Sequence, residues 1–196
     1  EIRIRSFQTK SVSLQAGAPF TLTTEDVVGD ETRVSVSYPQ LHEELKPGQE
    51  VLIDDGLVAI RVDRIEGAEI HCTVENGGDL SANKSINIPG VHIHLPALTE
   101  KDVEDIRFGV ENDFDFIAAS FVRRASDVEA VRQVLQECGG SDVKIIAKIE
   151  NQEGVDNIDE IMAAADGVMV ARGDLGVEIP AARVPILQKQ IIRKGL

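Results

Sequence analysis

The chain has 196 residues, and 20 Lys and Arg against 34 Asp and Glu give a formal net charge of −14. That balance excludes a nucleic-acid binder that works by phosphate neutralisation, since such binding needs clustered cations to release counterions. At 42% hydrophobic and 28% charged, the composition is that of a folded soluble protein and not of a disordered chain. No apolar stretch reaches the roughly 18 residues of a membrane span. Glu1-Ile2-Arg3-Ile4-Arg5 has no signal-peptide character, so a cytoplasmic protein is expected. The two cysteines, Cys72 and Cys138, lack CxxC or Cys/His spacing, which argues against a disulfide scaffold or structural zinc. Length fits one large or two small domains but falls short of the roughly 250 residues of a closed (β/α)8 barrel.

Up to about Asn87 the pattern is of short alternating runs: Ser11 to Leu14, Phe20 to Thr23, Arg33 to Tyr38 and Val51 to Ile53. Period-two alternation predicts half-buried strands. Asp54-Asp55-Gly56 and Glu66-Gly67-Ala68 read as hairpin turns leading into Leu57 to Val62 and Glu69 to Val74, and Asn76-Gly77-Gly78 closes the segment. A small antiparallel all-β barrel or sandwich is expected.

The character changes near Pro89. Thr99 is placed to N-cap a helix running to about Asn112, and a buried strand follows from Phe114 to Phe121. Ser126 with Glu129 reads as a capping box opening a helix with Val128, Val131, Val134 and Leu135 on one face. A second strand runs from Val143 to Ile149. Then come one short helix carrying Val155, Ile158, Ile161 and Met162, a third strand from Gly167 to Ala171, and a last helix from about Ala181 to Lys194. Repeated β-α units imply a parallel sheet, with apolar strands covered on both faces, in a doubly wound or (β/α)8 arrangement.

Functional groups in such folds project from the carboxyl ends of strands. Lys148 and Glu150 are two apart at the end of the second strand, so they share one side. They read either as a solvated ion pair or as phosphoryl-transfer chemistry, which needs an ammonium to offset charge and an oxygen ligand for magnesium. Asp174, after the third strand, is a second carboxylate at an equivalent position, and the Gly173 and Asp174 amides can open a helical turn that receives an anion. The alternative is a glycine turn with a capping aspartate. Ser120, ending the first of these strands, lines a site or closes a turn. His92 and His94 alternate on one strand face; without a third ligand they read as packing or surface residues rather than metal ligands.

These residues resemble a known family. Ile145-Ile-Ala-Lys148-Ile-Glu150-Asn151 is similar to the active-site signature of pyruvate kinases, and Val168-Met-Val-Ala-Arg172-Gly173-Asp174-Leu-Gly-Val-Glu178 to the motif that follows it. Asn87-Ile-Pro89-Gly90, Leu95 to Asp102, Phe116 to Arg124, Leu52 to Leu57 and Asn76-Gly77-Gly78 match in the same order. The resemblance implies an α/β fold, part of a (β/α)8 TIM barrel with an inserted small all-β barrel domain. Residues 1–5 would end a barrel strand, 6–87 form the mobile lid, and 88–196 supply the central β/α units.

The family transfers a phosphoryl group from phosphoenolpyruvate to ADP and protonates the enolate to pyruvate. Carried over, Lys148 would stabilise the transferring group, Glu150 and Asp174 would bind Mg2+ or Mn2+, and the Gly173 and Asp174 amides would hold the substrate carboxylate. Arg3 and Lys84 match positions that contact nucleotide phosphates. Glu1 matches the acid of K+-dependent members, and the parent enzyme would be a homotetramer. The family's substrate arginine and potassium-site residues match nothing in this stretch, nor does its proton-delivering threonine, so weak or absent catalysis is expected of it in isolation. Two rivals carry different features: a magnesium-dependent enolate-forming barrel lyase, which lacks a β domain at this place, and a non-enzymatic β-domain binding module, which would need an exposed aromatic or basic face.

Overall fold

The computed structural model describes residues 1–195, in two compact units, Glu1–Ile93 and His94–Leu196. The first contains strands β1 (Ile2–Arg3), β2 (Ser11–Leu14), β3 (Pro19–Thr23), β4 (Arg33–Ser35), β5 (Glu50–Ile53), β6 (Val58–Glu66), β7 (Glu69–Asn76), β8 (Gly78–Ser81) and β9 (Ser85–Asn87), with one short helix, α1 (Leu41–Glu44). Seven strands form one sheet in the order β1-β9-β5-β6-β7-β3-β4, while β2 pairs with β8. The sheet's two edges meet: Ile4 bridges Val36 antiparallel, Arg5 N donates to Ser35 O at 2.8 Å and Ser37 N to Arg3 O at 2.8 Å. Inward positions of the alternating runs fill the interior with Ile4, Phe20, Leu22, Val34, Val51, Ile53, Ile60 and Ile70, each at most 1% exposed.

Both expected hairpins form. Asp54, Asp55 and Gly56 all take positive φ (55°, 55° and 84°) between β5 and β6, and Gly67 does so (60°) between β6 and β7. Pairing departs from the purely antiparallel expectation at β3 and β4, which run parallel with Leu22 opposite Val34. The strands β1, β8 and β9 carried no periodic signal because each is only two to four residues long.

The second unit holds α2 (Glu100–Glu111), β10 (Phe116–Ala119), α3 (Ala125–Glu137), β11 (Lys144–Ile149), α4 (Gln152–Asp156), α5 (Ile158–Ala164), β12 (Gly167–Val170), α6 (Arg172–Glu178), a 3-10 turn (Ala181–Arg183) and α7 (Val184–Gly195). The strands form a parallel sheet in the order β10-β11-β12. Thr99 caps α2 as expected: its hydroxyl accepts from Asp102 N at 3.2 Å, and Asp102 Oδ2 accepts from Thr99 N at 2.8 Å.

The Ser126–Glu129 capping box does not form. The helix starts at Ala125, one residue earlier, leaving Ser126 inside the first turn. Glu160 of α5 accepts from Ala125 N at 2.9 Å, and Asp127 reaches back to Arg123 N at 2.9 Å, so carboxylates serve the amides at the start of the helix and just before it. The single helix expected after β11 is two, broken at Asn157, whose side chain donates to Arg123 O at 2.9 Å.

Coverage of the sheet is also one-sided. Ile145, Ala147 and Ile149 of β11 are fully buried and pack with Val128, Val131, Leu135 and Ile161 of the helices. On the opposite face Phe116 is 61% and Met169 44% exposed. The expectation of strands covered on both faces therefore fails; the residues of that second face are apolar enough to read as buried but stand exposed.

Candidate functional site

At the carboxyl end of β11 the pleat sends Lys148 and Glu150 to the same side, and their side chains meet, Nζ to Oε1 at 2.6 Å. Glu150 is only 1% exposed, whereas the lysine side chain keeps 24% of its surface in solvent. A buried carboxylate needs partners on both oxygens, and Glu150 Oε2 accepts from the backbone amide of Phe121 at 2.5 Å. Phe121 sits just past β10 with φ 53°, in the left-handed region that bulky residues rarely occupy. Ser120 completes the cluster. Because Ala119 pairs with Ala147, the residue after each lies alongside the other, and Lys148 Nζ donates to Ser120 Oγ at 3.1 Å.

The chain beyond β11 is anchored to the same loop. Asn151 caps α4 by accepting from Gly154 N at 2.7 Å, and its amide nitrogen reaches Val122 O at 3.5 Å. Gly154 is required here, since a Cβ would stand 2.6 Å from Val122 O. On the neighbouring strand Ile149 pairs with Val170, and Ala171 N donates to Ile149 O at 3.2 Å. Asp174 then falls in the first turn of α6, half-buried, after an exposed Gly173 whose missing side chain leaves open space.

Glu150 and Asp174 are hard oxygen donors that follow adjacent strands. Among the described residues no group of three or more His, Cys, Asp and Glu side chains converges. Hard oxygen donors are what Mg2+ takes, one or two carboxylates with the other positions left to substrate oxygens and water. His92 and His94 lie in irregular chain, not on a strand. A cleft of about 490 Å3, lined by Val110, Phe114, Phe116, Asp142 and Lys144 among others, opens at the amino ends of β10 and β11, the far end from Lys148.

In the first unit the backbones that carry Arg3 and Lys84 run next to each other, and each cation has its own partner. Arg3 pairs with Ser85 across β1 and β9, and Ile4 N donates to Lys84 O at 2.9 Å. Arg3 donates to Asn83 O at 2.7 Å and forms an ion pair with Glu1, while Lys84 Nζ lies 2.9 Å from Asp54 Oδ1. Sequence reasoning singled out Lys148, Glu150 and Ser120 but missed Phe121, whose contribution is a main-chain amide at an unusual φ, a feature that side-chain identity does not announce.

Parallel strands with a lysine and carboxylates at their carboxyl ends, and helices packed on one face, are the arrangement of a β/α-barrel domain. The chain belongs to the pyruvate kinase family: the family model described as the pyruvate kinase barrel domain matches residues 1–195. Among its relatives, a pyruvate kinase of Clostridium acetobutylicum is 52% identical over 195 residues, which are 99% of this chain and 41% of the relative. One from Clostridium perfringens is 51% identical, with the same coverage. A third, from Geobacillus stearothermophilus, is 49% identical over 196 residues, 99% of this chain and 33% of the relative. The chain thus spans between a third and about two fifths of the length of these curated relatives.

Proposed function

We propose that the chain supplies the lysine-and-metal half of a pyruvate kinase site, in a protein that transfers a phosphoryl group from phosphoenolpyruvate to ADP, giving pyruvate and ATP in glycolysis. The observation that carries this is the Lys148–Glu150 pair at the end of β11, with Glu150 buried and fixed from both oxygens. Neither rival, barrel lyase or binding module, is favoured by relatives named as pyruvate kinases.

In this reading Lys148 holds a fixed positive charge against the transferring phosphoryl group, an effect strongest where water is excluded. Glu150 and Asp174 hold Mg2+ or Mn2+, which when bound offsets charge on phosphoryl and enolate oxygens. The Gly173 and Asp174 amides receive the substrate carboxylate, and Arg3 and Lys84 contact nucleotide phosphates. Glu1 corresponds to the acid of K+-dependent members. Residues 1–5 are read as the end of a barrel strand, 6–87 as an inserted all-β lid and 88–196 as central units of the catalytic barrel. The whole protein is read as a cytoplasmic homotetramer; no helix among the described residues is long and apolar enough to cross a membrane.

A crystal of this chain soaked with manganese and oxalate, an enolate mimic, tests the site. Anomalous density between Glu150 and Asp174 beside Lys148 is expected, and an empty site at saturating metal refutes the assignment. A coupled pyruvate assay on the isolated chain should show little or no turnover; ordinary kinase rates would show that these residues suffice.

A further inference from the structure

We propose that Ser120 is a positioning residue for Lys148, the partner that keeps the ammonium in place when Glu150 turns to a divalent cation. The inference rests on the phosphoryl-transfer reading and adds a residue to which that reading gives no role. Its starting point is the way the two oxygens of Glu150 are used. Oε2 is held by the Phe121 amide at 2.5 Å, a main-chain donor. Among the described residues, Oε1 meets the Lys148 ammonium alone, at 2.6 Å. The exchangeable contact is therefore on the Oε1 side, and a cation arriving there competes with the ammonium, because two positive charges on one oxygen repel.

A lysine released from its carboxylate has a four-carbon stem and substantial rotamer freedom. With 24% of its side-chain surface in solvent, Lys148 has room to leave. Ser120 Oγ, 3.1 Å from Nζ, takes one of the three ammonium protons independently of Glu150. The sheet enforces this contact: the pairing of Ala119 with Ala147 puts residue 120 beside residue 148 whatever occupies Glu150. The turn Ser120-Phe121 thus divides the labour, the amide fixing the carboxylate and the hydroxyl fixing the ammonium. Lys148 can then change partners without leaving the strand end.

The test uses the whole chain labelled with 15N-lysine and 13C-glutamate, at fixed pH, with Mg2+ alone as the probe. The Glu150 side-chain carboxyl signal reports cation binding, and the Lys148 NH3+ correlation reports whether the ammonium stays held. Wild type should show a shifted Glu150 signal and a persistent Lys148 signal at saturating Mg2+. In Ser120→Ala, Lys148 proton exchange should resemble wild type without Mg2+ and accelerate about fivefold or more with it, the effect of losing one hydrogen bond. Ser120→Thr should restore retention. Ser120→Gly repeats the deletion should the alanine variant misfold. A Glu150 shift with unchanged Lys148 exchange in the deletion variants overturns the proposal and leaves the phosphoryl-transfer reading standing. Equal acceleration with and without Mg2+ also overturns it, marking a purely structural hydroxyl. No Glu150 shift in wild type overturns the cation reading and this one with it.

Discussion

The Lys148–Glu150 pair makes a prediction whose size follows from its surroundings. Consider Glu150→Gln, Lys148→Met and the two together. Glutamine keeps an acceptor for the Phe121 amide, so the cycle isolates the charge pair from the backbone contact. Breaking a fully buried ion pair costs roughly 3–5 kcal/mol. Here only Glu150 is fully buried, and Lys148 retains both Ser120 and solvent. The coupling energy should accordingly fall at about 1.5–3 kcal/mol, the range for a hydrogen bond between charged groups. Urea unfolding followed by far-UV circular dichroism in the helical band reads this well, because six of the seven α-helices lie in the second unit and the first contributes only the four-residue α1. A coupling below about 0.5 kcal/mol, within ordinary additivity error, would refute the reasoning.

Three further outcomes are expected. Phe121→Gly should be more stable than Phe121→Ala by about 1 kcal/mol in thermal melts, since both lose the ring but only glycine is free of the left-handed penalty at φ 53°; equal melting temperatures would contradict the strain. Gly154→Ala should destabilise by about 1–3 kcal/mol, because the new Cβ meets Val122 O at 2.6 Å; a neutral result would mean that the loop after β10 yields freely. Asp166 has its pKa lowered, first by the Ile145 backbone amide that donates to it and then by Arg132 and Lys144. A carboxylate lowered by folding stabilises above its unfolded pKa and loses that contribution as pH falls through the folded value. Asp166→Asn should therefore flatten the acid limb of the stability profile below about pH 4, and an unchanged limb would exclude this group.

Local signals were legible where one element explains itself. The alternation of β2, β5 and β7 and the N-cap at Thr99 needed nothing beyond their own residues. Ser126 misled because α3 begins before it, at Ala125, whose amide is taken by Glu160 of α5, far away in sequence. Asn157 breaks a periodic stretch through a bond to Arg123 O, also distant. His92 and His94 share the alternation of a strand but lie in irregular chain. For the site, spacing alone was enough to place Lys148 and Glu150 on one side. The amide that fixes Glu150 was not legible, because a left-handed phenylalanine is imposed by its surroundings and has no compositional trace.

Closure of the first unit's sheet carries a consequence for the order of events in folding. Ile2 pairs with Ile86, so the first strand waits for a segment more than eighty residues downstream. Bringing such distant segments together costs roughly 4 kcal/mol of chain entropy, recovered only once the intervening hairpins have shortened the path. During synthesis residues 2–4 therefore have no ladder to join when they are made, and dock after β5, β6 and β7 have assembled. Ile4 and Lys84 become backbone neighbours only at that last step, so the bond from Ile4 N to Lys84 O records that the unit has finished folding.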